Sequence, residues 1–376
     1  MKRLTLIAAA TTALLANSAV NATAFSVTNL VTDDQTVNAA QITDSGLKNA
    51  WGISYGPTSP FWVSSNGAGT SPLYGVNPAT NVTTKIGLTV AIPGAGNVTG
   101  QVFNGGVGFN GNLFLFASED GTVSGWRPAL NATAETLVPG SANNVYKGVA
   151  RALVGNDAYL YAANFHQGTI DVHKGSALAP NLTGNFTDPN LPAGFAPFNT
   201  QNLNDKIYVT YAVQDAAKHD DVAGLGNGLV DVFDVQGNLL NRVARAGTLN
   251  SPWGLAIAPA SFGEFAGDLL VGNFGDGTIN VFDLTDNSFD GQLKGPNGQP
   301  LTIDGLWGLI PGNGGGAGST QSIYFAAGPN GEAHALFGVI APAAVPVTIN
   351  GPAALMLGLG IASLASRRRK LGYIAV

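Results

Sequence analysis

Three consecutive runs late in the chain decide the fold. Residues 251–256 are SPWGLA, residues 267–274 are GDLLVGNF and residues 275–282 are GDGTINVF. Each run is aliphatic, or alternates apolar with polar residues, and ends at turn-forming residues, which is typical of β-strands. The pair Asp276-Gly277 is a strong hairpin signal. The stretch therefore predicts three short strands joined by tight turns.

The same order of runs recurs along the whole chain. The first run of each copy lies at residues 50–53 (AWGI), 101–104 (QVFN), 147–150 (KGVA), 197–199 (PFN), 251–256 and 306–309 (LWGL). Trp51 and Trp307 mark the first and the sixth copy, so the period is about 51 residues. A repeat of that length matches one four-stranded propeller blade. We therefore predict an all-β fold, a six-bladed β-propeller with four-stranded blades.

A closed ring needs a strand from one end of the propeller to pair within the blade at the other end, and we call such a strand the clasp. Only three strands are evident in the sixth copy, whereas residues 25–31, ahead of the first copy, form an unassigned strand. We predict that this N-terminal strand supplies the outer strand of blade six and closes the ring. An open solenoid is the alternative, but it needs polar capping repeats, and both terminal copies are ordinary ones.

The N-terminal end has the three regions of a secretory signal. Lys2 and Arg3 precede an apolar run at residues 4–16, and small residues follow up to Ala24. The run is too short to cross a hydrocarbon core of roughly 30 Å. Residues 1–24 are therefore predicted to be a signal peptide for the Sec pathway, with the mature protein in the periplasm, on the cell surface or in the extracellular matrix.

The C-terminal end carries a second hydrophobic segment. Pro346 precedes an apolar stretch at residues 353–365, and a basic cluster, RRRK, follows at residues 367–370. The order predicts a sorting or anchoring tail at residues 342–376, which a sorting peptidase would read and through which alone the protein would contact a membrane. The propeller is then assigned to residues 25–341.

Composition excludes several functional classes. The chain has 376 residues with 51 Gly, 20 Pro and only 11% charged residues, which is typical of a turn-rich β-protein. The net charge of −6, without a basic cluster away from the ends, argues against nucleic acid as a partner. The absence of cysteine excludes a disulfide framework and a cysteine nucleophile. No nucleophile elbow, zincin motif or phosphate loop is present in the sequence.

Turns at one end of the blades gather around a propeller axis, where active sites usually lie. Glu119, Asn164 and Asn273 follow second strands, so we predict that their oxygens converge on the axis, as Ca²⁺ requires. The alternative is that these residues only form the turns they favour.

Two histidines and one aspartate are candidate catalytic groups. His166 departs from the repeat at a turn, and Asp215 and His219 belong to a long insertion in the fourth copy. The alternative to a catalytic role is that His166 lies in an exposed turn and that Asp215 and His219 belong to a solvated surface loop. The remaining candidates for a ligand-binding face are Asn66, Lys147, Arg151, Asp304, Asn330 and Glu332.

The fifth copy, together with residues 214–216, 218–224 and 328–334, resembles a family of secreted, functionally uncharacterised bacterial six-bladed propellers with PEP-CTERM-like sorting tails. The resemblance covers roughly residues 25–340, although VPVT at residues 345–348 replaces the Pro-Glu-Pro of that tail. The repeats are more distantly similar to NHL-type propellers and to calcium-dependent lactonases related to gluconolactonase.

Two functions remain open at this point. One is a non-enzymatic binding or scaffold module of the cell surface or matrix, presenting its polar face to a small molecule, glycan or protein. The other is a Ca²⁺-dependent hydrolase of lactones or esters, with Glu119, Asn164 and Asn273 around the ion and His166 or His219 as base.

Overall fold

The computed structural model describes residues 23–95 and 97–344. The fold described here belongs to the compact unit that ends at Pro342. Apart from residues 23–24 and 342–344, the predicted signal peptide and sorting tail lie outside the described residues.

The described chain forms six small sheets, in which all strand pairs but one are antiparallel. It starts with β1 (Phe25–Thr32) and the short β2 (Ile42–Thr43). Blade one contains β3 (Ala50–Ser54), β4 (Phe61–Ser65), β5 (Thr70–Val76) and β6 (Thr83–Ala91); blade two contains β7 (Val98–Phe103), β8 (Phe114–Ser118), β9 (Val123–Trp126) and β10 (Glu135–Val138).

The third sheet has three strands and the fourth has four. Blade three contains β11 (Tyr146–Val154), β12 (Asp157–Asn164) and β13 (Thr169–Lys174); blade four contains β14 (Phe195–Leu203), β15 (Lys206–Val213), β16 (Leu229–Asp234) and β17 (Leu239–Arg245). The irregular segment after β13 packs Ala179 and Phe186 into the core between blades three and four.

The last two blades complete the ring. Blade five contains β18 (Pro252–Ile257), β19 (Leu269–Asn273), β20 (Ile279–Phe282) and β21 (Phe289–Gln292); blade six contains β22 (Leu306–Pro311), β23 (Ile323–Ala327), β24 (Leu336–Pro342) and β1. Short 3₁₀ turns lie at Asn66–Ala68, Phe109–Gly111, Pro128–Leu130 and Ala260–Phe265. Within the described ranges, none of the helical segments has the length and apolarity to cross a membrane.

The N-terminal strand closes the ring, as predicted. β1 pairs antiparallel with β24, from Phe25 opposite Pro342 to Thr32 opposite Leu336. Just beyond β1, the buried Asp33 accepts hydrogen bonds from the Ala335 backbone N–H (3.0 Å) and from Lys48 Nζ of blade one (2.7 Å). The six-bladed propeller and its N-terminal clasp are therefore both confirmed.

Apolar side chains fill the space between each pair of neighbouring blades. In β4, Phe61 and Val63 pack towards blade six, whereas Trp62 packs towards blade two. Successive residues of a strand point to opposite faces, so one strand serves two cores. The four other blade junctions have equivalent clusters, and a seventh, aromatic cluster lies on the axis.

Glycine on the innermost strands lets neighbouring blades approach each other at the axis. A Cβ at Gly254 would lie 2.5 Å from the carbonyl oxygen of Trp307, and one at Gly308 would lie 2.7 Å from that of Trp51. Gly52, Gly100 and Gly148 meet the next blade in the same way. Only a hydrogen atom fits between these strands, so the glycines set the radius of the ring.

We expect Gly254→Ala to lower the free energy of unfolding by about 2 kcal/mol, since the added methyl group overpacks the contact with blade six. Urea unfolding followed by tryptophan fluorescence measures the change. Gly87→Ala in β6 is the matched control, because a Cβ there meets nothing within 4 Å. Equal effects of the two substitutions would contradict the proposed role of Gly254.

Candidate functional site

An aromatic plug closes the axis at the end where the innermost strands begin. The residue before the axial glycine is Trp51, Trp253 or Trp307 in blades one, five and six, and Phe198 holds this place in blade four. The rings of Trp51 and Trp307 stack at 3.6 Å between centroids. Phe165 and Phe274 join from the turns after β12 and β19, and we call these six side chains the aromatic plug.

Blade three places a lysine where those blades place an aromatic ring. Lys147 precedes Gly148, and its side chain is only 2% exposed. The ammonium lies 5.4 Å from the Trp51 ring centroid, within cation–π range. A charge buried at this depth needs charged partners.

Two carboxylates supply them. Lys147 Nζ donates to Glu119 of blade two and to Asp220 Oδ1 of blade four, the latter at 2.9 Å. Glu119 is nearly buried, whereas the Asp220 side chain is 65% exposed. Three blades are thus joined above the aromatic plug by one ammonium group.

The hydrogen-bond network continues into blades one and six. Asn66 Nδ2 donates to Glu119 Oε2 at 3.2 Å, and Asn49 Nδ2 donates to Glu332 Oε2 at 2.5 Å. Asn49 is 5% exposed, and its Oδ1 has no hydrogen-bond partner within the described residues. We call the whole set the polar mouth; it consists of Asn49, Asn66, Glu119, Lys147, His219, Asp220 and Glu332.

The insertion of blade four brings His219 and Asp220 to this place. Gln214 Nε2 donates to the Phe165 carbonyl of blade three, and the Gly224 N–H donates to Asn250 Oδ1 of blade five at 2.6 Å. Asp215 Oδ1 accepts the His219 backbone N–H at 2.9 Å, which shapes the turn. The insertion, for which a solvated loop was the alternative interpretation, is therefore anchored to blades three and five.

The charges of the polar mouth shift one another's pKa values. Burial alone would lower the pKa of Lys147, but attraction to Glu119 and Asp220 outweighs it and raises that pKa. Desolvation acts upward on Asp220, yet Lys147 and His219 hold its pKa below the usual range. Desolvation raises the pKa of Asp221 and of Glu332, with attraction to Lys147 opposing it in both cases.

Two clusters in the described chain each bring three side chains that could bind a metal ion close together. The ligand atoms of Glu119, His219 and Asp220 lie within 4.8 Å of one another, as do those of Asp268, Asp283 and Asp290 in blade five. The first trio includes an imidazole nitrogen, which suits Zn²⁺ better than Ca²⁺. The Lys147 ammonium already bonds Glu119 and Asp220, so it competes with any cation for that trio.

The structure does not bring Asn164 and Asn273 to Glu119. Asn164 Nδ2 donates to Asn144 and Asp171 in its own blade, while Asn273 Oδ1 accepts the Asn250 backbone N–H at 3.1 Å. Both side chains are used in turns, which was the alternative interpretation.

The backbone register of the second strands explains why these side chains stay apart. The backbone N–H of Glu119 donates to a carbonyl in the loop before the first strand of its blade. The N–H groups that do the same in blades three and five belong to Phe165 and Phe274, one position after Asn164 and Asn273. A shift of one residue moves a side chain to the other face of a strand.

Arg151, expected on the ligand-binding face, lies away from the polar mouth, in the second half of β11. It follows Lys147 by four positions of extended chain, about 13 Å along the strand.

The other candidates lie near the polar mouth without joining its network. His166 is half-buried, and in the described chain its ring has no hydrogen bond, although its carbonyl accepts from Gln214. Asp304 is exposed and accepts the Asn330 backbone N–H at 2.7 Å. Asn49 was missed; its position before the AWGI run, within reach of two blades, was the available signal.

The fold and this site define a class: a six-bladed β-propeller with a charged mouth above an aromatic plug. The chain belongs to the same family as uncharacterized protein R648 of Acanthamoeba polyphaga mimivirus, with 32% identity over 294 residues that cover 73% of this chain and 71% of R648. It is 31% identical to uncharacterized protein L690 of the same virus over 300 residues, which cover 75% of this chain and 78% of L690.

These relatives are mimivirus proteins, so they do not support the bacterial family expected from the sequence. No protein-family model matches the chain.

Solved structures give a likeness of fold. A streptogramin B lyase aligns over 85% of this chain and 97% of its own, with 11% identity and a TM-score of 0.46. A PQQ-bound aldose sugar dehydrogenase from Streptomyces coelicolor aligns over 84% and 98%, with 14% identity and a TM-score of 0.46. At these values the likeness says nothing about the activity of this chain.

We expect Lys147→Met to destabilise the protein by about 3 kcal/mol at neutral pH, because it leaves the nearly buried Glu119 charge unpaired. Adding Glu119→Gln should restore part of that loss. Urea unfolding of the two single variants and the double variant measures the coupling. Lys206→Met, at an exposed position in β15, is the control.

The loss of stability caused by Lys147→Met should depend on pH, because the pKa of Asp220 is lowered and that of Lys147 is raised in the folded protein. Asp220 contributes stability above its ordinary value of 3.8 and loses it as the pH falls through its lowered pKa. Lys147 contributes below its ordinary value of 10.5 and loses it as the pH rises through its raised pKa. The difference between wild type and Lys147→Met should therefore be constant between these values and shrink outside them; a pH-independent difference would contradict the pairing.

Proposed function

We propose that this protein is a non-enzymatic binding propeller whose polar mouth receives lysine or arginine side chains of a partner polypeptide. One observation carries the proposal. Four carboxylates, those of Glu119, Asp220, Asp221 and Glu332, surround a single lysine in a region where Asp220 and Glu332 are exposed. The excess negative charge attracts cations and steers them to this end of the axis.

The shape of the site supports a polypeptide partner. Because the aromatic plug fills the axis below Lys147, a ligand must bind on the surface rather than in a deep channel. An open cleft of about 410 Å³ extends from Glu119 and His219 to residues 140–145. A protruding basic side chain fits such a cleft, while the rest of the partner lies across the surrounding turns.

We expect labelled hexalysine to bind the full-length chain in fluorescence anisotropy, and Glu332→Gln to weaken this binding about threefold at low salt. Glu264→Gln removes the same charge at an exposed site in the 3₁₀ segment of blade five and serves as control. Equal binding of hexaglutamate, or equal effects of the two variants, would refute the proposal.

The second candidate is the metal-dependent hydrolase, favoured by the Glu119, His219 and Asp220 trio alone. It requires the cation to displace the Lys147 ammonium from two carboxylates. Calorimetric titration separates the candidates: we expect neither Ca²⁺ nor Zn²⁺ to bind chelator-treated protein more tightly than about 1 mM at this trio. Tighter binding that His219→Ala abolishes would favour the hydrolase.

We propose further that the protein acts after export, at a cell surface or in an extracellular matrix. The charged, apolar and small-residue regions within residues 1–24 support export, and the apolar segment with its basic end within residues 342–376 supports retention at a membrane or recognition by a sorting peptidase. Mass spectrometry of protein recovered from the extracellular fraction tests export, and an intact Met1 there would contradict signal cleavage.

A further inference from the structure

The opposite end of the axis contains a second cavity. It encloses about 270 Å³ between the ends of the innermost strands of blades one, two, three, four and six. Ile53, Phe103 and Ile310 give it apolar walls, and Arg151 is the only charged residue in its lining. The cavity is separate from the polar mouth, since none of the residues of the polar mouth lines it and Arg151 follows Lys147 by four positions of extended chain.

The Arg151 guanidinium has spare donors. Its Nε donates to Asn104 Oδ1 at 3.1 Å, and no other side-chain hydrogen bond or ion pair of Arg151 is formed within residues 23–95 and 97–344. The guanidinium is half-buried, and desolvation lowers its pKa. A cation in this position, without a carboxylate partner, gains from binding an anion.

Neighbouring side chains offer further unused hydrogen-bonding groups. Ser54 is 4% exposed, lines the cavity, and its hydroxyl has no partner in the described part of the chain. The Tyr55 hydroxyl and the Gln201 side chain, which also line the cavity, likewise form no hydrogen bond there. Ser54 is the buried one of these three residues, and buried polar groups in proteins normally find partners, so its free hydroxyl in the same lining as Arg151 indicates a ligand.

We propose that this cavity binds a small organic carboxylate, with Arg151 holding the carboxylate and the aromatic and aliphatic walls holding the carbon skeleton. The planar guanidinium matches a carboxylate through two parallel hydrogen bonds. Tyr55, Ser54 and Gln201 add donors at the same cavity. The volume is that of a small metabolite rather than of a polymer.

Sodium benzoate, its neutral isostere benzamide and sodium phosphate are the probes, each titrated into the full-length chain by calorimetry. We expect benzoate to bind with a Kd of about 1 mM or tighter, benzamide at least tenfold more weakly, and phosphate more weakly than benzoate. Comparison of benzoate with benzamide needs no variant, so a folding defect cannot obscure it.

Arg151→Gln should weaken benzoate binding at least tenfold. Arg245→Gln, which removes one exposed positive charge from β17, should leave it unchanged. Equal binding of benzoate and benzamide, benzoate affinity unaffected by Arg151→Gln, or Arg151-dependent binding of phosphate alone would each overturn the carboxylate assignment. The hexalysine experiment at the polar mouth is independent of all these outcomes.

Discussion

The close approach of the six innermost strands at the axis is the constraint on which the rest of the structure depends. Five blades meet it with a glycine whose Cβ would collide with the next blade. Blade four meets it differently: Asn199 Nδ2 donates to the Trp253 carbonyl at 2.8 Å, and its Oδ1 lies against Gly148. Every blade is therefore in register with its neighbour, and the residue before each glycine is placed around the axis.

This placement determines what the end of the axis contains. In four blades the residue before the axial position is aromatic, and its ring packs into the aromatic plug. In blade three this residue is Lys147, whose charge lies over the plug and forms ion pairs with Glu119 and Asp220 of the neighbouring blades. The site thus arises where Lys147 takes a position that is aromatic in four other blades, with Glu119 and Asp220 contributed by the turns of two neighbouring blades. A local departure from a repeat is where function is expected.

Much of the architecture could be predicted from the sequence, because each blade repeats its own strand and turn signals. The spacing of the Trp-Gly pairs predicted the length of one blade repeat. The strand that starts at Phe25, which belongs to none of the six copies, predicted the clasp. The convergence of Glu119, Asn164 and Asn273 could not be predicted from the repeat alone, because Asn164 and Asn273 lie one residue before the structural equivalents of Glu119. The contact between Lys147 and Asp220, 73 residues apart, depends on how an irregular insertion folds back, which no periodicity encodes.

The clasp has a consequence for the order of folding. Since β1 pairs with β24 along its whole length, and otherwise only with the two-residue β2, the first described strand lacks its main sheet partner until the last one has been synthesised. Blades one to five can form local hairpins early, but ring closure is the most non-local step and is expected to come last. The ring of a nascent chain would therefore stay open until synthesis is nearly complete, with the facing edges of blades one and six exposed throughout that time.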